Sequence, residues 1–251
     1  MKIGVIGTGA IGGTIAKKLA AAGHEVKVHN VGEYDRLKKR AQELGASPST
    51  IKEVVNDVDV VIVSIPTKAI PDLPKELFTD VPDNVIVVDT SNYYPFRDGE
   101  IEELKNGKVE SAWVAEILGR PVVKAFNNLL AHSLEYGSKS EGAEGRMAMA
   151  VSGDDGKSKE IISDLINDAG FDAVDAGSIS ESWRHQPGTP VYCTELNVKE
   201  LKQALADGIK ENAADLRNLA ITKFMEPTTQ PSHEDTVALN RSLFPKNPKS
   251  V

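Results

Sequence analysis

Lys2-Ile3-Gly4-Val5-Ile6-Gly7-Thr8-Gly9-Ala10-Ile11-Gly12 is the stretch on which the fold turns. A short apolar run leads into glycines spaced G-x-G-x-x-G. A helical pattern starts inside that spacing, with Ile11, Ile15 and Leu19 at four-residue steps and Ala16 and Ala20 beside them. Gly7 permits a tight turn, Gly9 lets the main chain come close to a diphosphate, and Gly12 lets the helix pack on the strand. The free N–H groups of the helix's first turn then face the anion. Gly23 stops the helix, and His24-Glu25-Val26-Lys27-Val28-His29 follows as a second strand. Residues 1–30 thus predict a dinucleotide seat lined by Gly7, Thr8, Gly9, Ala10, Ile11 and Gly12.

Further strand-like runs lie at 58–65, 84–89, 121–126, 147–152 and 171–176. Between them Leu37, Ala41 and Leu44, and later Ile161, Ile162, Leu165, Ile166 and Ala169, keep helical spacing. Such alternation predicts an α/β fold, a Rossmann-type doubly wound, mostly parallel sheet over 1–180, with a loop, a long helix and a tail over 181–251. The long helix is read from Val198, Leu201, Leu205, Ile209, Ala213, Leu216 and Ala220. A single helix over 197–222 would be about 35 Å long at 1.5 Å per residue. It would cover this chain's own sheet or pack on a second subunit in a homodimer. Beyond Phe224, Pro227, Pro231, Pro245 and Pro248 predict an extended tail.

The 251 residues are 40% hydrophobic and 26% charged, enough for a substantial core. A net charge of −8 argues against nucleic-acid or acidic-membrane partners, which require clustered positive charge. The lone Cys193 points to a reducing compartment, and no run approaches the roughly 20 apolar residues of a membrane span. A cytoplasmic protein acting on a small-molecule redox substrate is expected. The sequence shows no metal-ligand spacing and no serine or cysteine triad, so no metal is expected.

Strand two ends on Asn30, where an NAD-selective site carries an acidic residue that repels a 2′-phosphate. Its absence favours NADP, with NAD as the alternative. Arg36, Lys38, Lys39 and Arg40 supply positive charge just downstream, diluted by Glu33 and Asp35, and Arg36 is the residue assigned to the cofactor. Charges on a solvated helix face would look the same.

Ser64-Ile65-Pro66 ends the third strand, and Asp89-Thr90-Ser91-Asn92-Tyr93-Tyr94-Pro95 follows the next. Ligands bind at such strand ends, which adds Ser64, Ile65, Pro66, Ser91 and Asn92 to the cofactor lining. With VVKAFNN at 122–128 and WRHQPGTPVYC at 183–193, these segments resemble the deazaflavin (coenzyme F-420)-dependent NADP oxidoreductase family over most of residues 1–195. The resemblance implies an NADP-binding sheet domain and a cleft where a flat redox partner meets the nicotinamide. Members often carry Ser-Arg after the asparagine that ends strand two; this chain has Val31-Gly32.

Hydride transfer needs the reacting atoms held about 3 to 3.5 Å apart with water excluded. A flavin or deazaflavin absorbs the incoming charge itself, whereas a ketone or imine needs a proton donor. Lys124, Asn127 and Asn128 form a K-x-x-N-N spacing that resembles the lysine and asparagine pair of β-hydroxyacid dehydrogenases. On that reading Lys124 is a general acid; because it falls in a strand, a charge-pair role stands beside it. Asn127 is expected to cap the following helix and orient nicotinamide or substrate. Trp183, Arg184, His185 and Tyr192 flank the stiff Pro187-Gly188-Thr189-Pro190 and are placed at the substrate cleft, with packing against the long helix as the alternative. The Tyr34 and Lys38 pair lies at the adenosine end, far from any hydride, and His132 stands alone. Three functions follow: an NADP-dependent oxidoreductase with a planar or carbonyl-like acceptor, a β-hydroxyacid dehydrogenase or imine-reductase-like enzyme using Lys124, and a non-catalytic NADP(H)-binding redox sensor.

Overall fold

Every residue of the strands Val60–Val63 and Ile86–Asp89 is buried, as a sheet covered on both faces demands. The computed structural model describes residues 1–226 and 231–244. In chain order its first half comprises β1 (Lys2–Ile6), α1 (Ala10–Ala21), β2 (Glu25–His29), α2 (Tyr34–Leu44), β3 (Ser47–Pro48), β4 (Val60–Val63) and β5 (Ile86–Asp89). Then come α3 (Pro95–Asp98), α4 (Glu102–Lys105), α5 (Glu110–Leu118), β6 (Val123–Lys124) and α6 (Ala131–Tyr136). The remainder is β7 (Ala148–Val151), α7 (Gly156–Asp168), β8 (Asp172–Asp175), α8 (Val198–Asp207), α9 (Lys210–Met225) and α10 (His233–Ser242).

Six strands form one parallel sheet in the order β3-β2-β1-β4-β5-β6. Successive residues of a strand serve opposite faces. Val60 and Ile62 join Ile3, Ile15, Leu19, Val28 and Leu37 on one side, while Val61 and Val63 join Ile6, Ile70, Phe78 and Trp113 on the other. The expected Rossmann-type sheet is present, and its order reverses between β1 and β4, the place where such sheets bind ligands.

β7 and β8 pair in parallel and continue from β6 through an antiparallel bridge between Lys124 and Ser152, with N···O distances of 2.8 and 3.0 Å. Asn128 supports the same edge. Its Oδ1 accepts from Ala150 N at 3.2 Å and its Nδ2 donates to Ala148 O at 3.5 Å, so one side chain stands in for a neighbouring strand.

The single helix expected over 197–222 is two. α8 starts at a capping box made by Asn197 and Glu200, buries Leu201, Ala204 and Leu205, and stops before Gly208, which is extended at φ −62° and ψ 135°. Arg184 Nη1 takes the Leu205 carbonyl at 3.0 Å, the acceptor that Ile209 N–H would have needed to continue the helix. Glycine's low helix propensity makes the break inexpensive. α9 then buries no residue. The extended tail is also corrected: Ser232 and Asp235 form a capping box that opens α10. That helix is tied back by Arg241, whose Nε and Nη2 donate to Thr194 O and Glu195 O at 2.8 and 3.1 Å. The rest of the expected tail, at 227–230 and 245–251, lies outside the described residues. No described helix is long and apolar enough to cross a membrane.

Asn128→Ala is expected to leave the fully buried Ala150 N–H without its side-chain acceptor and to cost about 1–3 kcal/mol. The measure is a lower urea midpoint at unchanged slope; parental stability would deny Asn128 this role.

Candidate active site

The turn after β1 is shaped by close backbone approaches. Gly7 has φ +101°, and a Cβ there would stand 2.2 Å from Ser64 O. A Cβ on Gly12 would stand 2.1 Å from Gly7 O, so α1 lies directly on the turn. Gly9 is different: nothing lies within 4 Å of where its Cβ would point. The first bond of α1 runs from Gly13 N to Gly9 O at 2.9 Å, leaving the N–H groups of Ala10, Ile11 and Gly12 ahead of the helical ladder. Open space above Gly9 facing free amides suits a diphosphate.

Ser64, half-buried Ile65 and exposed Pro66 follow β4 beside this turn, exposed Asn30 follows β2, and exposed Arg36 sits in the first turn of α2. Along the neighbouring strand end, the Ser91 hydroxyl is buried with no partner among the described residues, and so is that of Thr67. Buried hydroxyls are rarely left unpaired, so both suit a bound polar group. Thr67 escaped the sequence reading because a lone threonine in a loop carries no pattern.

Asn92 and Asn127 join the ends of β5 and β6. Asn92 Nδ2 donates to Asn127 O at 3.1 Å, and Asn127 Nδ2 donates to Asn92 Oδ1 at 3.0 Å and to His185 O at 2.7 Å. Asn127 Oδ1 therefore accepts from His185 Nδ1 at 2.8 Å, which leaves His185 Nε2 to accept from Ser152 Oγ at 2.9 Å. Burial, reinforced by the Lys124 charge, pushes His185 down to about 3, so the ring is neutral. Asn127 does not cap a helix as expected: α6 begins only at Ala131, with Leu130 before it. The turn is made instead by Phe126 in the left-handed region at φ +59°, so that Asn127 and Asn128 serve different neighbours.

Lys124 is fully buried. Its Nζ pairs with Asp89 Oδ2 at 3.2 Å and donates to Ser91 O, while Asp89 also accepts from Ser91 N at 2.8 Å and Ser111 Oγ at 2.6 Å. The pair clamps the loop that carries Ser91 and Asn92. Beside it Glu110 is buried, with Oε2 accepting from Tyr93 N at 3.1 Å. Desolvation pushes its carboxyl up to about 7 against the pull of Lys124. Sequence reasoning missed Glu110, since an acidic residue opening a helix reads as a dipole partner.

The cleft expected of residues 183–192 is only partly assembled. His185 joins the asparagines, and Tyr192 OH accepts from Tyr94 OH at 2.8 Å. Trp183 and Arg184 instead pack on α8, the Trp183 ring against Gly208 and the guanidinium 4.5 Å above the Trp183 ring. His132 stacks on His233 at 4.2 Å, outside this network. Among the described residues no His, Cys, Asp and Glu group suits a metal ion. A hollow of about 580 Å³ lined by Lys2, Glu25, Asp57 and Asn84 opens at the other ends of the strands, away from the glycine turn.

Sheet order, glycine turn and free amides define an α/β dinucleotide-binding protein. Residues 2–93 match the family described as NADP oxidoreductase, coenzyme F420-dependent. Protein YjhV of Escherichia coli (strain K12) is 39% identical over 125 residues, which is 49% of this chain and 83% of that protein. The structure of hypothetical protein SMa0349 from Sinorhizobium meliloti superposes with TM-score 0.66 at 28% identity, covering 78% of this chain and 95% of that one. A protein of Arthrobacter sp. FB24, provisionally named an F420-dependent NADP-reductase, shares the fold with TM-score 0.57 at 22% identity, over 72% and 87% of the two chains. The chain belongs to this family, a family of NAD(P)-dependent oxidoreductases.

Because the folded chain holds the Glu110 proton more tightly than the unfolded chain, the stability linked to it is full below pH 4.5 and is lost as pH rises through about 7. Glu110→Gln keeps an acceptor for Tyr93 N without the charge. It is expected to match the parent near about pH 4 and to exceed it by up to about 3 kcal/mol near about pH 9 in urea unfolding. His185 acts oppositely, its contribution lost as pH falls from 6.5 towards about 3, but it is common to both proteins and cancels. A difference independent of pH would remove a buried, ionising Glu110.

Proposed function

We propose that the protein is an NADP-dependent oxidoreductase that moves hydride between nicotinamide and a small acceptor, either planar (a flavin or deazaflavin) or carbonyl-like. The observation that carries the reading is the open cradle above Gly9, set at the reversal of strand order and on the same edge of the parallel sheet as the Asn92 and Asn127 pair. NADP is preferred to NAD because Asn30, not a carboxylate, follows β2.

When bound, the dinucleotide supplies or takes a hydride at its nicotinamide ring. The chain's own part is placement. Ala10, Ile11 and Gly12 offer amides to the diphosphate, and Ser91 offers its unpaired hydroxyl. Asn92 keeps one N–H of its amide beyond the bond to Asn127 for a ring carboxamide or an acceptor oxygen. Asn127 has both N–H groups and its oxygen engaged, and so positions Asn92.

A proton-donating Lys124 is the core of the β-hydroxyacid dehydrogenase or imine-reductase alternative. Its burial and its bonds to Asp89 and Ser91 favour the charge-pair role, and with it an acceptor that accommodates its own developing charge. The sensor alternative differs in outcome: a sensor binds NADPH and oxidises none of it. An NADPH titration followed by a screen of flavins, deazaflavins, quinones and carbonyls tests the proposal, and binding without turnover on any of them would leave the sensor in place.

Gly9→Ala tests the cradle directly. Its methyl meets no protein atom within 4 Å, so thermal unfolding is expected to stay put. The methyl fills the space reserved for diphosphate, so the Kd for NADPH is expected to rise about tenfold or more, at roughly 1.4 kcal/mol per decade. Unchanged affinity would place the diphosphate elsewhere.

A further inference from the structure

Gly13 is a glycine that a diphosphate turn does not require. It lies buried inside α1, where alanine would be the better helix former. The space its side chain would take belongs to Arg40. Arg40 Nη2 stands 2.8 Å from the position of a Gly13 Cβ, and Thr8 O stands 3.0 Å from the same point. The guanidinium therefore lies against the first turn of α1, beside the middle residue of Gly7-Thr8-Gly9.

Arg40 reaches there from α2, whose buried stripe is Leu37, Ala41 and Leu44. At about 100° per residue, Arg36 and Arg40 share the flank of that stripe. Arg40 Nη1 donates to Glu43 Oε2 at 3.2 Å, Nη2 has no hydrogen-bond partner among the described residues, and the side chain is 41% exposed. The 2′ position of an adenosine ribose seated on such a turn falls at the end of β2, where this chain has Asn30. Gly7 N donates to His29 O at 2.8 Å, so the turn that Arg40 flanks adjoins the end of β2, and a guanidinium with open donors on this side of the seat suits a phosphate rather than a hydroxyl, because it binds a phosphate through paired, charge-assisted hydrogen bonds. Arg36 is exposed, with Glu33 and Asp35 close before it in sequence.

We infer that Arg40, admitted over α1 by Gly13, rather than Arg36, determines specificity for an adenosine 2′-phosphate. The inference rests on the NADP reading above and names its discriminating residue. Equilibrium titrations of the parent, Arg40→Ala, Arg36→Ala and Gly13→Ala with NADPH, NADH, 2′,5′-ADP and ADP test it, with circular dichroism melts to confirm folding. Arg40→Ala is expected to weaken NADPH and 2′,5′-ADP by about tenfold or more while NADH and ADP change less than about twofold. Gly13→Ala is expected to weaken NADPH and 2′,5′-ADP more than NADH and ADP, since its methyl displaces the guanidinium while its contact with the Thr8 carbonyl acts on all four ligands alike. A parent that prefers NADPH while Arg40→Ala keeps that preference, or weakens all four ligands equally, overturns the role of Arg40 alone. A parent that binds NADPH and NADH equally overturns the NADP reading with it, and a parent that binds neither overturns the dinucleotide seat itself.

Discussion

The carbonyl of Gly7 occupies the place where a side chain on residue 12 would begin, and the Ser64 carbonyl occupies the place for one on residue 7. Those approaches bring β1, β4 and the start of α1 into direct backbone contact. The helix then lies flat enough on the sheet for Ile15, Ala16 and Leu19 to be buried without remainder, and that core face extends through Leu37 to Ile162 and Phe171. A methyl on Gly12 would push α1 off the turn, and one on Gly7 would push the turn off the Ser64 backbone. Gly9 carries no such packing duty, since no atom of the described chain lies within 4 Å of where its Cβ would point.

The other end of the site depends on a buried ion pair. Taking Lys124 and Asp89 out of water is costly, and such a pair earns little net stability compared with apolar residues of similar size. What it achieves here is position. Lys124 holds the Ser91 carbonyl, Asp89 holds the Ser91 amide, and the backbone of Lys124 bridges to Ser152. From Ser152 the hydrogen bonds pass to His185, to Asn127 and to Asn92. Each member of that chain is tied to a strand end or to a buried neighbour, so the Asn92 amide has little freedom. A rigid polar group on strand ends holds a reacting ring more closely than one on a free loop.

Local patterns made the first half legible. The glycine turn, α1, β2, α2 and the apolar runs that became β4 and β5 all follow from residues adjacent in sequence, whose spacing encodes their own geometry. The failures share a cause as well. The apolar period runs unbroken from Val198 to Ala220, but a side chain from a different segment, Arg184, takes the carbonyl needed at Leu205 and the helix divides. Asn127 looked like a helix cap because caps are local, whereas its partners Asn92 and His185 are set by tertiary contact. The roles of the motif residues depend on distant neighbours that no spacing records.

The charge arrangement at the site limits its chemistry. Lys124 is consumed by Asp89, His185 is neutral, and burial raises both the Tyr94 and Tyr192 hydroxyls away from ionisation. The two tyrosines keep their protons and His185 stays neutral through the ordinary range of pH, which makes them good supports and poor acids. Glu110 sits near neutrality, but its carboxyl is bonded to Tyr93 N behind the clamped loop. An acceptor that needs a proton delivered in the transition state therefore meets amides rather than acids. On the proposed reading, an acceptor whose own conjugated nitrogens and carbonyls spread the incoming charge needs only to be held flat against the nicotinamide, a task suited to a backbone turn, an ion pair and paired asparagines.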